Sequence, residues 1–270
     1  VVGCGAQGMV LIESALRIPG IRFVATCDIW PYSLRRATRT LKKFGHAPKD
    51  YTDWRELLDK EGDLDAVIVA TPDWIHHEVT NAALEKSRHV YCEKEMSNAL
   101  ASARSMVETA KKTGKLLQIG HQRRSNPRYR HAIDRCIREA KLLGRVTHAY
   151  GQWNRSVADP LTCPAKDMLD SATLEKWGYG NMDQLLNWRW YKRYGGGPIV
   201  DLGSHQIDLF AWVFGCNPSA IQAMGGNDYY PGREWYDNVM TMYEYRGAEG
   251  VSRAYYQVLT TTKHGGYYER

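Results

Sequence analysis

The sequence predicts an α/β chain in two parts: a doubly wound parallel sheet over residues 1–120, then an α+β domain with an antiparallel sheet over residues 121–270. Three observations predict it. A glycine-rich turn, Gly3-Cys4-Gly5-Ala6-Gln7-Gly8, directly follows the apolar pair Val1-Val2. Short apolar runs then alternate with helical patterns as far as Ile119, the rhythm of βαβ units. Beyond Gly144 the runs alternate apolar with polar and are joined by short connections, which favours antiparallel pairing.

Each element follows in order. Val1-Val2 reads as a strand, and Met9, Val10, Ile12, Leu16 and Ile18 give the next segment an amphipathic helical spacing. Between them Gly3 permits a tight turn, Gly5 lets backbone approach a pyrophosphate, and Gly8 lets the helix lie close to the strand; the N–H groups from Ala6 to Met9 would hold the phosphates. A second strand, Arg22 to Cys27, ends at Asp28, twenty residues beyond Gly8. A carboxylate there accepts hydrogen bonds from the adenosine ribose hydroxyls and repels a 2′-phosphate, so NAD is expected over NADP. Arg35 and Arg36 could accommodate a 2′-phosphate, although a solvated helix face explains them equally well.

Pro31 suits a first helical turn, and the helix through Arg36, Thr40 and Phe44 reads as exposed and basic until Gly45. Asp65 to Ala70 is a continuous apolar run, as in a strand buried on both faces. After Thr71-Pro72, Asp73 is placed to cap a helix from Trp74 to Leu84. The unit repeats as strand His89–Cys92 with helix Ala99–Thr113, and as strand Leu116–Ile119 with a helix begun by Asn126-Pro127. Ligands collect at the carboxyl ends of such strands, so residues 3 to 8, 28, 71 to 76, 93 to 95 and 120 to 124 are expected around one crevice. In the second domain a strand at Val146–Tyr150 and a long loop rich in Trp, Asp and Pro precede a helix from about Leu202 to Phe214; strands follow at 220–224, 239–245 and 251–258.

Composition excludes several classes. Thirty-six Lys and Arg against thirty Asp and Glu leave a charge of +6, but the excess from Arg123 to Arg145 falls mostly on one helix face and carries no nucleic-acid reading motif. Six cysteines show no C-x-x-C and no Cys/His spacing for a metal, so reduced structural thiols are expected. No apolar run reaches the roughly 18 residues a membrane span needs. The chain starts without Met, inside a strand, and Gly265 to Arg270 reads as sheet; we expect an N-terminal segment and further C-terminal strands outside the sequence, and a cytoplasmic location, with a periplasmic one open.

Two places carry candidate chemistry. Lys94 follows the strand ending at Cys92, on the side expected for the nicotinamide, where an ammonium would bind a substrate hydroxyl and ease its loss of a proton; an exposed turn lysine is the competing explanation. Gly195-Gly-Gly-Pro leads into a helix bearing Asp201 and His205 four apart, hence on one face, where the carboxylate would orient the imidazole as a base, with Asp208 behind it. A helix-capping aspartate followed by a satisfied buried histidine competes with this. Nine Trp and seventeen Tyr against four Phe, with Trp153, Arg155, Trp188 and Trp190 in or beside the long loop, suit a pyranose site, although packing and interfaces use the same residues.

Over nearly its whole length the chain resembles the Gfo/Idh/MocA oxidoreductases. The resemblance rests on the glycine turn with Asp28, Thr71-Pro72-Asp73 with His76, Glu93-Lys94, Gly120-His121-Gln122-Arg123-Arg124, and Gly195 to Asp208. It implies a Rossmann domain, an open and mostly antiparallel C-terminal sheet that mediates homodimers or homotetramers, and hydride transfer at a sugar or polyol carbon. It places Lys94, Asp201 and His205 in the catalytic group. The cofactor set is then Gly3, Gly5, Ala6, Gln7, Gly8, Asp28, Thr71, Pro72, Trp74, His76, Glu93, Lys94 and Gln122. The substrate set is Lys94, Arg123, Arg124, Trp153, Arg155, Trp188, Trp190 and His205. One departure is Glu95, where the family has proline; the added charge would hold Lys94 more firmly as a cation. The expected function is NAD-dependent oxidation of a secondary hydroxyl of a sugar, glycoside or cyclitol. Glycosidic cleavage through a transient keto-sugar and a non-catalytic nucleotide sensor are the alternatives.

Overall fold

The structure, a computed structural model, describes residues 1–155, 159–261 and 268–269. It divides into two compact units: Val1–Gly120 with Leu161–Trp188 and Arg193–Gly195, and His121–Pro160 with Arg189–Lys192 and Gly196–Arg270.

The first unit contains strands β1 (Ala25–Cys27), β2 (Lys49–Tyr51), β3 (Ala66–Val69), β4 (His89–Cys92) and β5 (Leu117–Ile119), all paired in parallel. Val2 bridges Cys27 on one side and Val69 on the other, so the sheet runs β2-β1-Val2-β3-β4-β5. Strand order thus reverses at Val2, and the chain leaves that switch point through Gly3, where a doubly wound sheet opens its ligand crevice. Helices α1 (Ala6–Ala15), α2 (Pro31–Lys43), α3 (Trp54–Lys60), α4 (His76–Glu85) and α5 (Leu100–Thr113) connect the strands. Ile12, Leu41, Leu57, Val79 and Leu84 are at most 1% exposed, each burial being worth about 1.5–3 kcal/mol.

Three local readings change. The strand read from Arg22 pairs only from Ala25, because the preceding chain turns to His46, whose Nδ1 accepts the Phe23 N–H at 3.2 Å. Helix α2 is not exposed throughout: Leu34, Ala37, Thr38 and Leu41 are buried, and Arg35, Arg36 and Arg39 face outward. Asp73 does not cap α4. It lies in a 3-10 turn, Asp73–Ile75, tightened by the Ile75 N–H donating to Pro72 O, and α4 starts after Ile75 without a side-chain cap.

Residues 161–188, which the sequence reading assigns to the second domain, pack within the first unit. Their short helices Ser171–Lys176 and Met182–Leu186 are capped by Asp170 and Asn181. The Trp74 indole is held edge-on by Tyr179 and Tyr194, with ring centroids at 6.0 and 5.7 Å.

The second unit is built on a sheet ordered β10-β6-β9-β8-β7: β6 (His148–Asn154), β7 (Pro218–Gly226), β8 (Asn238–Gly247), β9 (Gly250–Leu259) and β10 (Tyr268–Glu269). Among the described residues of this sheet only β6 and β9 pair in parallel. The helix Ser204–Phe214 packs on one face through Phe210, against a core that includes Tyr245, Tyr256 and Val258. The helix expected over 202–214 is interrupted at its start, since a separate turn, Pro198–Asp201, precedes Ser204. Gly203 at the junction lies so close to its neighbours that an added Cβ would fall 2.2 Å from Ile199 O and 2.8 Å from the Tyr256 ring.

Candidate functional site

The glycine turn meets three different demands. Gly3 has φ +88°, and a Cβ there would lie 2.4 Å from Ala70 O; a Cβ on Gly8 would lie 2.1 Å from Gly3 O. Gly5 differs, because a Cβ there would meet nothing within 4 Å. It precedes α1, whose N-terminus has no side-chain cap. The first-turn N–H groups of Ala6, Gln7 and Gly8, with the open cradle over Gly5, fit a pyrophosphate.

Asp28, at the end of β1, is fixed from two sides: Oδ2 accepts the Cys4 N–H at 2.7 Å and Oδ1 the Trp30 N–H at 2.8 Å. Each oxygen retains a lone pair for a ribose hydroxyl. Burial pushes its carboxyl up to about 6, against the opposing effect of those two bonds. An acid with a raised pKa is penalised when ionised. That penalty is absent below the ordinary carboxylate pKa and complete above about 6, while the ionised form is the better acceptor of ribose hydroxyls. NADH affinity is therefore expected to fall at least about threefold as pH drops from 7.5 to 5, with a smaller fall in Asp28→Asn; titration calorimetry across that range checks it, and parallel pH profiles would remove Asp28 from the binding equilibrium.

Residues 71 to 95 form a linked cluster. Glu93, 5% exposed, accepts Gln7 Nε2 at 2.9 Å and the Tyr91 hydroxyl at 3.3 Å on Oε1, and the Lys94 N–H at 3.2 Å on Oε2. Two residues expected at the cofactor, Gln7 and Glu93, thus hold each other. His76 is 1% exposed, with Nδ1 2.6 Å from Glu95 O and Nε2 2.8 Å from Thr71 O. Carbonyl oxygens at both ring nitrogens require both to donate, the condition of an imidazolium. Burial alone lowers its pKa, but the Cys92 sulfur, Asp73 and the Glu95 carbonyl outweigh it and raise the value to about 9. His76 accordingly spends its ring on two loop carbonyls, holding Thr71 and Glu95. Trp74 is similarly committed, donating Nε1 to the Tyr179 hydroxyl at 3.3 Å. The Thr71 hydroxyl is buried without a hydrogen-bond partner among the described residues, and Pro72 opens the 3-10 turn. Lys94 is half-buried just past the end of β4, between the buried acids Glu93 and Glu95, and its peptide bond to Glu95 is cis.

In the second unit Trp153, on β6, stacks on the buried His205 ring with centroids 5.6 Å apart and planes 19° apart, and the Arg123 guanidinium stands 5.7 Å from the Trp153 ring. Three of the expected substrate residues thus meet. The Asp201 and His205 relation changes: Asp201 closes the Pro198–Asp201 turn, and the His205 N–H donates to Leu202 O at 3.3 Å instead of continuing a helix from Asp201. The Asp201 carboxylate accepts Arg189 Nε at 3.1 Å. Asp208, expected behind His205, forms a bidentate pair with Arg124 at 2.8–2.9 Å, and Arg124 lies 5.3 Å from the Trp212 ring. Trp190 carries the Arg233 guanidinium at 4.2 Å. Gln122 begins an exposed 3-10 turn, and the Arg155 N–H donates to Leu259 O. Trp188 belongs to the first unit, its ring within 2.9 Å of where a Gly195 Cβ would lie. Arg233 adds to the residues read from the sequence; its signal is its company, a run of Tyr and Trp. Among the described residues no cluster of three His, Cys, Asp or Glu side chains could hold a metal ion.

Comparison with known proteins gives the family. A family profile described as "Oxidoreductase family, NAD-binding Rossmann fold" matches residues 1–121, and one described as "GFO/IDH/MocA C-terminal domain" matches 135–264. The chain belongs to the Gfo/Idh/MocA family, and its first unit carries an NAD-binding Rossmann domain. Inositol 2-dehydrogenase of Salmonella typhimurium is 34% identical over 131 residues, 48% of this chain and 38% of that protein. D-glucoside 3-dehydrogenase of Escherichia coli is 29% identical over 196 residues, 72% of this chain and 47% of that protein. A levoglucosan dehydrogenase solved with NADH and levoglucosan has the same fold, with a TM-score of 0.73 at 21% identity over 99% of this chain and 68% of that one. The chain spans about half or less of the length of these curated relatives. No helix among the described residues is long and apolar enough to cross a membrane.

Proposed function

We propose that the protein oxidises a secondary hydroxyl of a sugar, glycoside or cyclitol, with NAD as the hydride acceptor. The observation that carries this reading is Lys94, half-buried at the carboxyl end of β4 in a domain built to bind NAD. Bound NAD supplies an electrophilic carbon for the hydride. Lys94 holds the substrate oxygen; His205 takes the hydroxyl proton; and Asp201, anchored by Arg189, supports His205. Trp153 and Arg123 beside His205 suit a pyranose or cyclitol, which presents both a C–H face and hydroxyl acceptors. Being sugar and polyol dehydrogenases, the two curated relatives agree with this class of substrate.

The test is incubation with NAD and a panel of free sugars, cyclitols and glycosides in solvent deuterium, following NADH absorbance and aglycone release. NADH in proportion to substrate consumed is expected. Aglycone release with deuterium beside the anomeric carbon and no net NADH would replace the dehydrogenase by a glycosidase, and silence across the panel with NAD still bound would leave a sensor.

We propose further that the second unit self-associates through its sheet. On the face opposite helix Ser204–Phe214, Tyr150 stacks on Tyr255 and Met242 pairs with Tyr255 across β8 and β9. Tyr150 is 53%, Met242 55% and Met224 76% exposed, an apolar row of the kind that association buries.

A further inference from the structure

The segment that returns to the first unit lies against the adenosine end of the nucleotide site. Asp28 Oδ1 accepts the Trp30 N–H, and Trp30 immediately precedes α2. The Trp30 indole donates Nε1 to the backbone carbonyl of Asp167 at 2.6 Å, while the Asp167 carboxylate accepts Arg35 Nη2 at 2.9 Å. The turn Ala165–Asp167 is therefore docked on the start of α2 by two contacts of different kinds. The carboxylate is 7% exposed and the arginine side chain 59% exposed, so a buried acid fixes an outward cation that solvent alone would leave mobile.

A 2′-phosphate at the ribose held by Asp28 would place its charge near the N-terminal turn of α2, where helix N–H groups and Arg35, one turn in, would attract it. Two acids oppose this: Asp28 by direct repulsion, Asp167 by neutralising the cation.

We propose that Asp167 is a cofactor-specificity residue, withholding Arg35 from the nucleotide so that the site discriminates a 2′-hydroxyl from a 2′-phosphate more sharply than Asp28 alone allows. The proposal rests on the NAD reading of the first unit and assigns a part in it to a segment outside the glycine turn. Asp167→Asn keeps the carbonyl contact to Trp30 and removes the charge, so it separates the two functions of the turn.

Calorimetric titration of the full chain with NADH and with NADPH tests it. In Asp167→Asn, NADPH affinity is expected to rise about three- to fivefold, the scale of one partly screened charge pair, while NADH affinity stays within about twofold. The gain is expected to vanish in Asp167→Asn/Arg35→Ala, and Arg35→Ala alone is expected to leave the ratio of the two affinities within about twofold of the starting protein. An unchanged ratio in Asp167→Asn, or a gain that survives loss of Arg35, would overturn the proposal. Should Asp167→Asn fail to fold, Arg35→Ala still decides: a fivefold or larger loss of NADPH relative to NADH would mean that Arg35 already serves the phosphate. Absence of any heat with NADH in the unsubstituted protein would overturn the NAD reading itself, and is distinct from all these results.

Discussion

Replacing Lys94 or His205 by alanine is expected to lower turnover by about a hundred- to ten-thousandfold, the range of a lost general acid or base. The two losses should differ in their pH profiles. His205→Ala removes the proposed base, so the residual activity should rise with pH as hydroxide replaces it; Lys94→Ala should keep the pH dependence of the starting protein and lose substrate affinity as well. Steady-state rates from pH 5 to 10 on a substrate from the panel check both, with NADH titration showing that each variant still binds nucleotide. A loss below about tenfold in both would remove the acid-base roles. Asp201→Asn should cost less, since its charge acts on His205 and not on the substrate.

Gly8→Ala and Gly5→Ala are expected to fail in opposite ways. The methyl on Gly8 would meet the backbone oxygen of Gly3 at 2.1 Å. Backbone at the centre of the sheet cannot step aside, so a destabilisation of about 3 kcal/mol is expected, with nucleotide binding lost alongside it. Gly5 has φ −65° and ψ −162°, which alanine adopts without strain, and its methyl would stand in open space. Melting should therefore shift by no more than about 0.5 kcal/mol, while NADH affinity falls at least about tenfold, because the methyl fills the space through which backbone approaches the pyrophosphate. Thermal unfolding and calorimetry on both variants separate stability from binding. Wild-type affinity in Gly5→Ala would place the phosphates elsewhere.

The first unit was the more legible. Val1-Val2, the glycine turn, Asp28 and the strand His89–Cys92 are local patterns, and each residue's demand is met by its immediate chain neighbours or the adjacent strand. What the sequence does not show depends on partners far along the chain. Asp201 and His205 have helical spacing, but Gly203 between them is pressed against Tyr256, 53 residues on, and the helix breaks there. His76 accompanies Thr71-Pro72-Asp73 in sequence, but its second carbonyl partner is Glu95, 19 residues away on another loop. Asp208 seemed poised to support His205, yet its partner is Arg124, 84 residues earlier. Residues 161–188 have no sustained period to read, and they dock through isolated aromatics and backbone carbonyls instead of a continuous apolar stripe.

That returning segment makes the two units poor modules. The chain passes from the first unit to the second after Gly120, comes back at Leu161, leaves after Trp188, and returns once more for Arg193–Gly195. A fragment ending at residue 120 would carry the whole glycine turn and all five parallel strands, yet the Trp74 ring would lose Tyr179 and Tyr194, and the Trp30 indole would lose its acceptor. Recombination or domain grafting at that point would sever packing the nucleotide-binding half depends on.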